Sequence, residues 1–360
     1  MRGVLTKCIL KSNKMSKVSG ANAAYRLRAH KGIERNLFIE LLKILDGTIA
    51  VDLTKYRYVG FAAATLEDFK SFHYELGIMD MHSIEINKFA LSRQEFNNPF
   101  YFLTTHPKDS TKYIVEDFEA GINHVIWLDY TNNDFMQQFQ DLELLAAKMK
   151  SLDILKVTFN VNTGGFIQTN NILSSLDSKN IAEGNDWKAI LKFLKDHATY
   201  QYYLPSKLTS RDINNFSEIV RAMAVRAIKR GLSKNQSNNL NFNHASAFDY
   251  ADGQKMTTMT GVIASSRVYS NLSRQSKLKN WPFYKQHPRF KELIEAKTIN
   301  VPDMSVSERL FIEKKLPSKD IQQTAKDLPF QYDKPNDHAS LIEGYQTFYK
   351  YLPYYGKVTY

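Results

Sequence analysis

The stretch Tyr56–Asn87, YRYVGFAAATLEDFKSFHYELGIMDMHSIEIN, constrains this chain most. An apolar run, Tyr58 to Phe61, ends in a small-residue turn, Ala62-Ala63-Ala64. Leu66, Phe69, Phe72 and Leu76 then recur at helical spacing, with Glu67, Asp68, Lys70 and Glu75 between them. A second short strand, Met81 to Ile86, carries Glu85 near its C-terminal end. The spacing predicts a βαβ unit. In such a unit the turn after the first strand sits at a helix N-terminus, where free N–H groups and the helix dipole favour a polar or anionic ligand. A carboxylate closing the second strand can accept both hydroxyls of a ribose. The same pattern also describes an ordinary buried βαβ unit with Glu85 as a strand-end acid. With one glycine, Gly60, and no GxGxxG, the motif leaves both readings open.

The alternation continues downstream. Tyr101 to Thr104 reads as a third short strand, followed by a helix over Tyr113 to Ala120. Asn123 to Tyr130, NHVIWLDY, is the continuous apolar run of a parallel strand buried on both faces. A helix from Asp134 to Ser151 and a strand from Ile154 to Val161 follow. This order predicts a Rossmann-like, doubly wound α/β sheet with its ligand crevice at the carboxyl ends of the strands. Gly60-Phe61-Ala62, Glu85, Asp129-Tyr130 and Asn160 to Asn162 would all fall on that edge. Residues 166–240 read as a helical insertion, with helices at Trp187 to His197 and at Asp212 to Arg230, the latter stopped by Gly231. Two strand-like runs, Leu240 to Tyr250 and Lys255 to Ser265, flank Ala251-Asp252-Gly253-Gln254, a hairpin signal.

Before the βαβ unit, an apolar stripe from Ala23 to Ile44 predicts a helix ended at Asp46-Gly47. Arg26, Arg28, Lys31 and Arg35 lie before or along it, as a solvated face or as contacts to an anionic ligand. The tail is basic from residue 267, then reads as short helices, one of them capped near Ser305 to Ser307. The expected organisation is a basic arm and helix over residues 1–50, the α/β domain over 51–266 and an extension over 267–360.

Composition excludes several classes. The single cysteine, Cys8, allows neither an internal disulfide nor a Cys-rich zinc site, and the nine histidines show no HExxH spacing. No run is long and apolar enough for a membrane span, and the N-terminus is a poor secretory signal, so a cytoplasmic protein without membrane attachment is expected. Residues 1–33 hold eight Lys/Arg and no acid; residues 221–300 hold fourteen Lys/Arg and four acids. In a chain of formal charge +11 the remainder is therefore acidic. These two stretches read as nucleic-acid contacts, or as solvated surface.

Five strands in this alternation followed by an antiparallel hairpin resemble the class I S-adenosylmethionine-dependent methyltransferase fold. The phrases YRYVGF, LEDFKSFHYELGI, MHSIEIN, RQEFNNPF and VIWLDY resemble a group of prokaryotic proteins labelled O-methyltransferases. The resemblance covers most of residues 23–265 and reaches VPDMSVSERLFIEKKLP near the C-terminus. It implies S-adenosylmethionine as cofactor. Gly60, Phe61, Ala62 and Ala63 would form the cofactor loop, Asp68 and Ile86 would also bind the cofactor, and Glu85 would hold the ribose. Asp129 and Tyr130 would face the methyl group or its acceptor. The departure is the loop itself, YVGFAAAT in place of a glycine-rich E/DxGxG. No Asn/Asp-Pro-Pro-Tyr motif supports amino-methylation of a base.

Two functions follow. One is an O-directed methyltransferase with Asp129 as base, His73 or His124 as weaker candidates, and a nucleic acid or another anion as acceptor. The other is an inactive, methyltransferase-like nucleic-acid-binding subunit, joined to other protein subunits in bacterial anti-phage defence or nucleic-acid processing. The aromatic, basic stretch 267–291 suits the second, since bases stack on aromatic rings.

Overall fold

A computed structural model describes residues 28–170, 172, 186–237, 239–284, 294–333 and 335–353. The expected arm over residues 1–22 lies outside them, as do Arg26 and residues 285–291 at the end of the stretch 267–291. Among the described residues no helix is long and apolar enough to cross a membrane.

The predicted βαβ unit is present as β1 (Arg57–Phe61), α2 (Glu67–Leu76) and β2 (Asp80–Ile84), after an N-terminal helix α1 (Ala29–Asp46). The apolar stripe Leu66, Phe69, Phe72 and Leu76 is buried against the sheet, as its spacing requires. Helix α3 (Lys88–Asn97) stops before Asn98-Pro99, because the residue preceding a proline avoids the helical region. Strand β3 (Leu103–His106) lies two residues later than its aromatic start suggested, and α4 (Ser110–Glu116) begins three residues earlier, where Asp109 caps it through the Lys112 N–H. Then come β4 (His124–Asp129), α5 (Phe135–Lys148), β5 (Ile154–Asn160) and α6 (Thr163–Thr169).

The insertion is helical, with α7 (Asp186–Asp196), α8 (Ala198–Gln201) and α9 (Phe216–Lys234). Gly231 does not stop α9 but lies within it. A Cβ there would sit 2.2 Å from the Glu143 carbonyl oxygen and 2.7 Å from Ala146 Cβ. The glycine lets α9 cross α5 in close contact. The hairpin is β6 (Asn241–Ala251) and β7 (Lys255–Ala264). Helix α10 (Ser266–Gln275), the two-residue strand β8 (Lys297–Thr298), α11 (Val306–Glu313), α12 (Ile321–Lys326) and α13 (Pro335–Phe348) complete the chain. A Ser305–Glu308 capping box starts α11, as its sequence suggests.

The strand order is β3-β2-β1-β4-β5-β7-β6-β8. Strands β1 to β5 run parallel, β7 lies antiparallel to β5, and β6 antiparallel to β7. Alternate residues of β4 feed two cores: Val125 and Trp127 pack with α1 and α2, whereas Ile126 and Leu128 pack with α4, α5 and α9. The C-terminal helices join the α1 side. Glu40 of α1 accepts hydrogen bonds from Trp281 Nε1 (2.5 Å) and Tyr351 Oη (2.8 Å).

Candidate active site

The carboxyl ends of β1, β2, β3 and β4 open onto one cleft of about 870 Å³. Its walls are residues 61–64, 84–87, 108–110 and 129–132, with Ala90, Asp134, Gln137 and Gln138. Phe61, Ala62, Ala63, Glu85, Ile86, Asp129 and Tyr130 are thus brought together. Gly60 lies just beneath, where a Cβ would come within 2.6 Å of Tyr58 Oη. Asp68 is not brought in. It sits on the far side of the α2 N-terminus, ion-paired with Arg35 of α1.

The turn after β1 manages with one glycine because a helix holds it. Gln94 of α3 is fully buried and donates from Nε2 to the Ala62 carbonyl (2.8 Å). The same nitrogen lies 3.5 Å from Glu85 Oε2, and Gln94 Oε1 accepts from Ser83 Oγ (2.8 Å). Asn97 donates to the Ala64 carbonyl (2.8 Å). One helix therefore fixes the loop and the carboxylate relative to each other. Glu85 Oε1 accepts the Asn87 N–H (2.7 Å), which aims the side chain back over the strand end. Burial raises its pKa above the usual 4.5, opposed by the N–H groups of Asn87 and Ile86. Replacing Gln94 with Leu should raise the Kd for S-adenosylhomocysteine about tenfold and lower stability by about 1–3 kcal/mol, because Ser83 and the Ala62 carbonyl lose a buried partner. Calorimetric titration on the folded variant separates the two effects.

Asp129 and Tyr130 face opposite sides of the sheet. Lys31 Nζ of α1 is 3.0 Å from Asp129 Oδ2, 3.3 Å from Tyr250 Oη and 4.1 Å from the centre of the Trp127 ring. Lys31 is therefore a buried partner of the site and not part of a solvated face. The Tyr130 ring meets Phe61 edge-on at 5.3 Å, but its hydroxyl donates to Asp141 Oδ2 (2.9 Å) between α4 and α5. Burial and the Asp141 carboxylate hold that phenol well above the usual range. Neither His73 nor His124 lines the cleft. His73 binds the Ile78 carbonyl at the other end of α2. His124 is buried at the start of β4 against Phe118, with its pKa pushed down to about 3 by burial.

The sequence does not mark Gln94 or Asn97, and it offers Lys31 only as a solvated face or a ligand contact, not as the buried partner of Asp129. Nothing local distinguishes Gln94 from Arg93 and Glu95; its role comes from what lies across the fold. Gln138 shows what the cleft wall lacks. Its amide donates to the Asn132 carbonyl (3.1 Å) and Asn132 Oδ1 (2.7 Å), and its own buried Oε1 has no hydrogen-bond partner among the described residues. A donor-bearing ligand suits that wall. Among the described residues no group of three or more His, Cys, Asp or Glu could hold a metal ion.

Five parallel strands extended by an antiparallel β7–β6 hairpin, with helices on both sides of the sheet, make the class I methyltransferase fold. The chain belongs to the family described as "Putative O-methyltransferase", whose model matches residues 23–360. A search of the curated proteins finds no match. Among solved structures it is similar to Trm1 from Pyrococcus horikoshii, at 11% identity over 87% of this chain and 75% of that one, TM-score 0.41. It is also similar to a "putative O-methyltransferase" from Klebsiella pneumoniae (10% identity, 68% and 85% covered, TM-score 0.35). N-methyltransferase NodS from Bradyrhizobium japonicum is a third (7% identity, 64% and 96% covered, TM-score 0.33). S-adenosylmethionine is the cofactor that goes with this family. The cleft fits it: a carboxylate suits a ribose diol, and the buried Gln138 Oε1 suits an N–H or O–H group.

Proposed function

We propose that the chain methylates a hydroxyl oxygen, with Glu85 holding the cofactor's ribose and Asp129 taking up the hydroxyl proton. The observation that carries this reading is that the pinned turn 61–64, Glu85 and Asp129 share one cleft. When bound, S-adenosylmethionine supplies an electrophilic sulfonium methyl group. The chain's own part is alignment and electrostatics. Four carboxylates, Glu85, Asp109, Asp129 and Asp134, line the cleft against one ammonium, Lys108. Lys108 is itself paired with Glu116 and Asp117 at 2.8 Å. A wall of that sign suits a cationic cofactor and a neutral acceptor more than a polyanion. The Lys31 ammonium, 3.0 Å from Asp129 Oδ2, holds that carboxylate in place at the cleft.

The basic stretch 221–300 supports a nucleic-acid acceptor less than its charge suggested. Arg221 is buried and bound to Asp249 (2.5 Å) and the Ile294 carbonyl (2.9 Å); Arg230 and Lys234 approach Glu143 on α5, outside the cleft. Calorimetric titration of the full chain with S-adenosylmethionine tests the proposal. Micromolar binding is expected. No heat at millimolar cofactor, together with retention on heparin, would leave the non-enzymatic binding subunit as the reading.

A further inference from the structure

Helix α3 is poorly used by the monomer. It buries only Ala90 and Gln94, while Phe89 is 83% and Phe96 91% exposed. Seven residues separate them, two helical turns, so they lie on one stripe. The loop that follows carries Tyr101, 91% exposed, which meets Phe102 edge-on at 5.3 Å. Phe102 stacks on Phe100 at 4.9 Å, and Phe100 meets Tyr74 of α2, 70% exposed, at 5.7 Å. Single exposed apolar residues need no explanation, but a concentration of rings on one helix and its flanks marks a contact surface.

We infer that this face binds a second copy of the same chain, with α3 packed against α3 across a two-fold axis. Two observations favour a copy of itself. The first is symmetry. Phe89 and Phe96 are equidistant from the α3 midpoint between Ser92 and Arg93. A two-fold axis there sets Phe89 of each copy against Phe96 of the other, as an isologous contact requires. The second is area. The four rings expose roughly 600 Å² together, taking about 150–250 Å² for each aromatic side chain. That is most of the roughly 800 Å² per partner that a stable dimer hides. Arg93 stands between the two rings on the stripe, with Lys88 and Glu95 on α3 beside it, residue types found in interface cores and rims. The inference goes beyond the methyl-transfer reading and does not depend on it.

Sedimentation equilibrium of the full chain at tens of micromolar tests it. The wild type is expected at twice the chain mass. The double substitution Phe89→Ser and Phe96→Ser should return it to the monomer with its far-ultraviolet circular dichroism unchanged, since both side chains are exposed in the single chain. As a control, Leu310→Ser, on α11 and 53% exposed, should remain dimeric. A monomeric wild type, or a dimer indifferent to the double substitution, overturns the proposal, as does a control that also dissociates.

Discussion

Replacing Glu85 with Ala should raise the Kd for S-adenosylhomocysteine about a hundredfold and leave the fold intact. Each charge-assisted hydrogen bond contributes about 1.5–3 kcal/mol, and a ribose diol offers two. Three kilocalories at the low end correspond to about a hundredfold, at 1.4 kcal/mol for each factor of ten. Stability should change little, because the carboxylate is only half-buried and its closest partner is one backbone N–H, that of Asn87. Glu85→Gln keeps an acceptor but loses the charge, and should fall between. The pH dependence distinguishes this from a general loosening of the cleft. Burial raises the Glu85 pKa, and the ribose prefers the ionised form. Affinity should therefore fall as pH drops through that raised value, and the Glu85→Gln variant should stay flat over the same range. If Glu85→Ala binds the cofactor as tightly as wild type, the ribose assignment is wrong.

What could be read from the sequence was what is local. The run Val125 to Leu128 announces a strand covered on both faces, and the α2 stripe announces a helix on the sheet. Glu85 lies just past the end of β2 because a βαβ unit has few other places for it. The errors share one cause. Tyr101 and Phe102 look like strand residues, but the chain is still turning out of Pro99 there. Gly231 looks like a helix stop, and only the approach of α5 makes it a packing position. Lys31, Glu34 and Arg35 look like one polar face of α1. Their partners Asp129, Lys156 and Asp68 come from β4, β5 and α2, so no periodicity in α1 could reveal that they are paired across the fold. Strand β8, two residues long, carries no pattern of its own.

The same buried face of α1 carries the largest expected loss of stability. Lys156 stands in the middle of β5, fully buried, and its ammonium meets Glu34, equally buried, over the Phe38 and Trp127 rings. Glu34 Oε2 also lies 3.9 Å from Lys31 Nζ, which holds Asp129. Removing one member of such a pair strands a charge away from water and costs about 3–5 kcal/mol. That is a large share of the about 5–15 kcal/mol that holds a folded domain together. Glu34→Ala should be the worse single change, since it leaves two ammonium groups, Lys31 and Lys156, facing each other. The double change Glu34→Leu and Lys156→Met should recover most of the loss, because an apolar pair of similar volume needs no desolvated charge. Urea unfolding of Glu34→Leu, Lys156→Met and their double variant gives the coupling directly. If the losses simply add, the two groups do not depend on each other. A double variant that is stable but binds no cofactor would show that the pair serves the Asp129 end of the cleft and not only the attachment of α1.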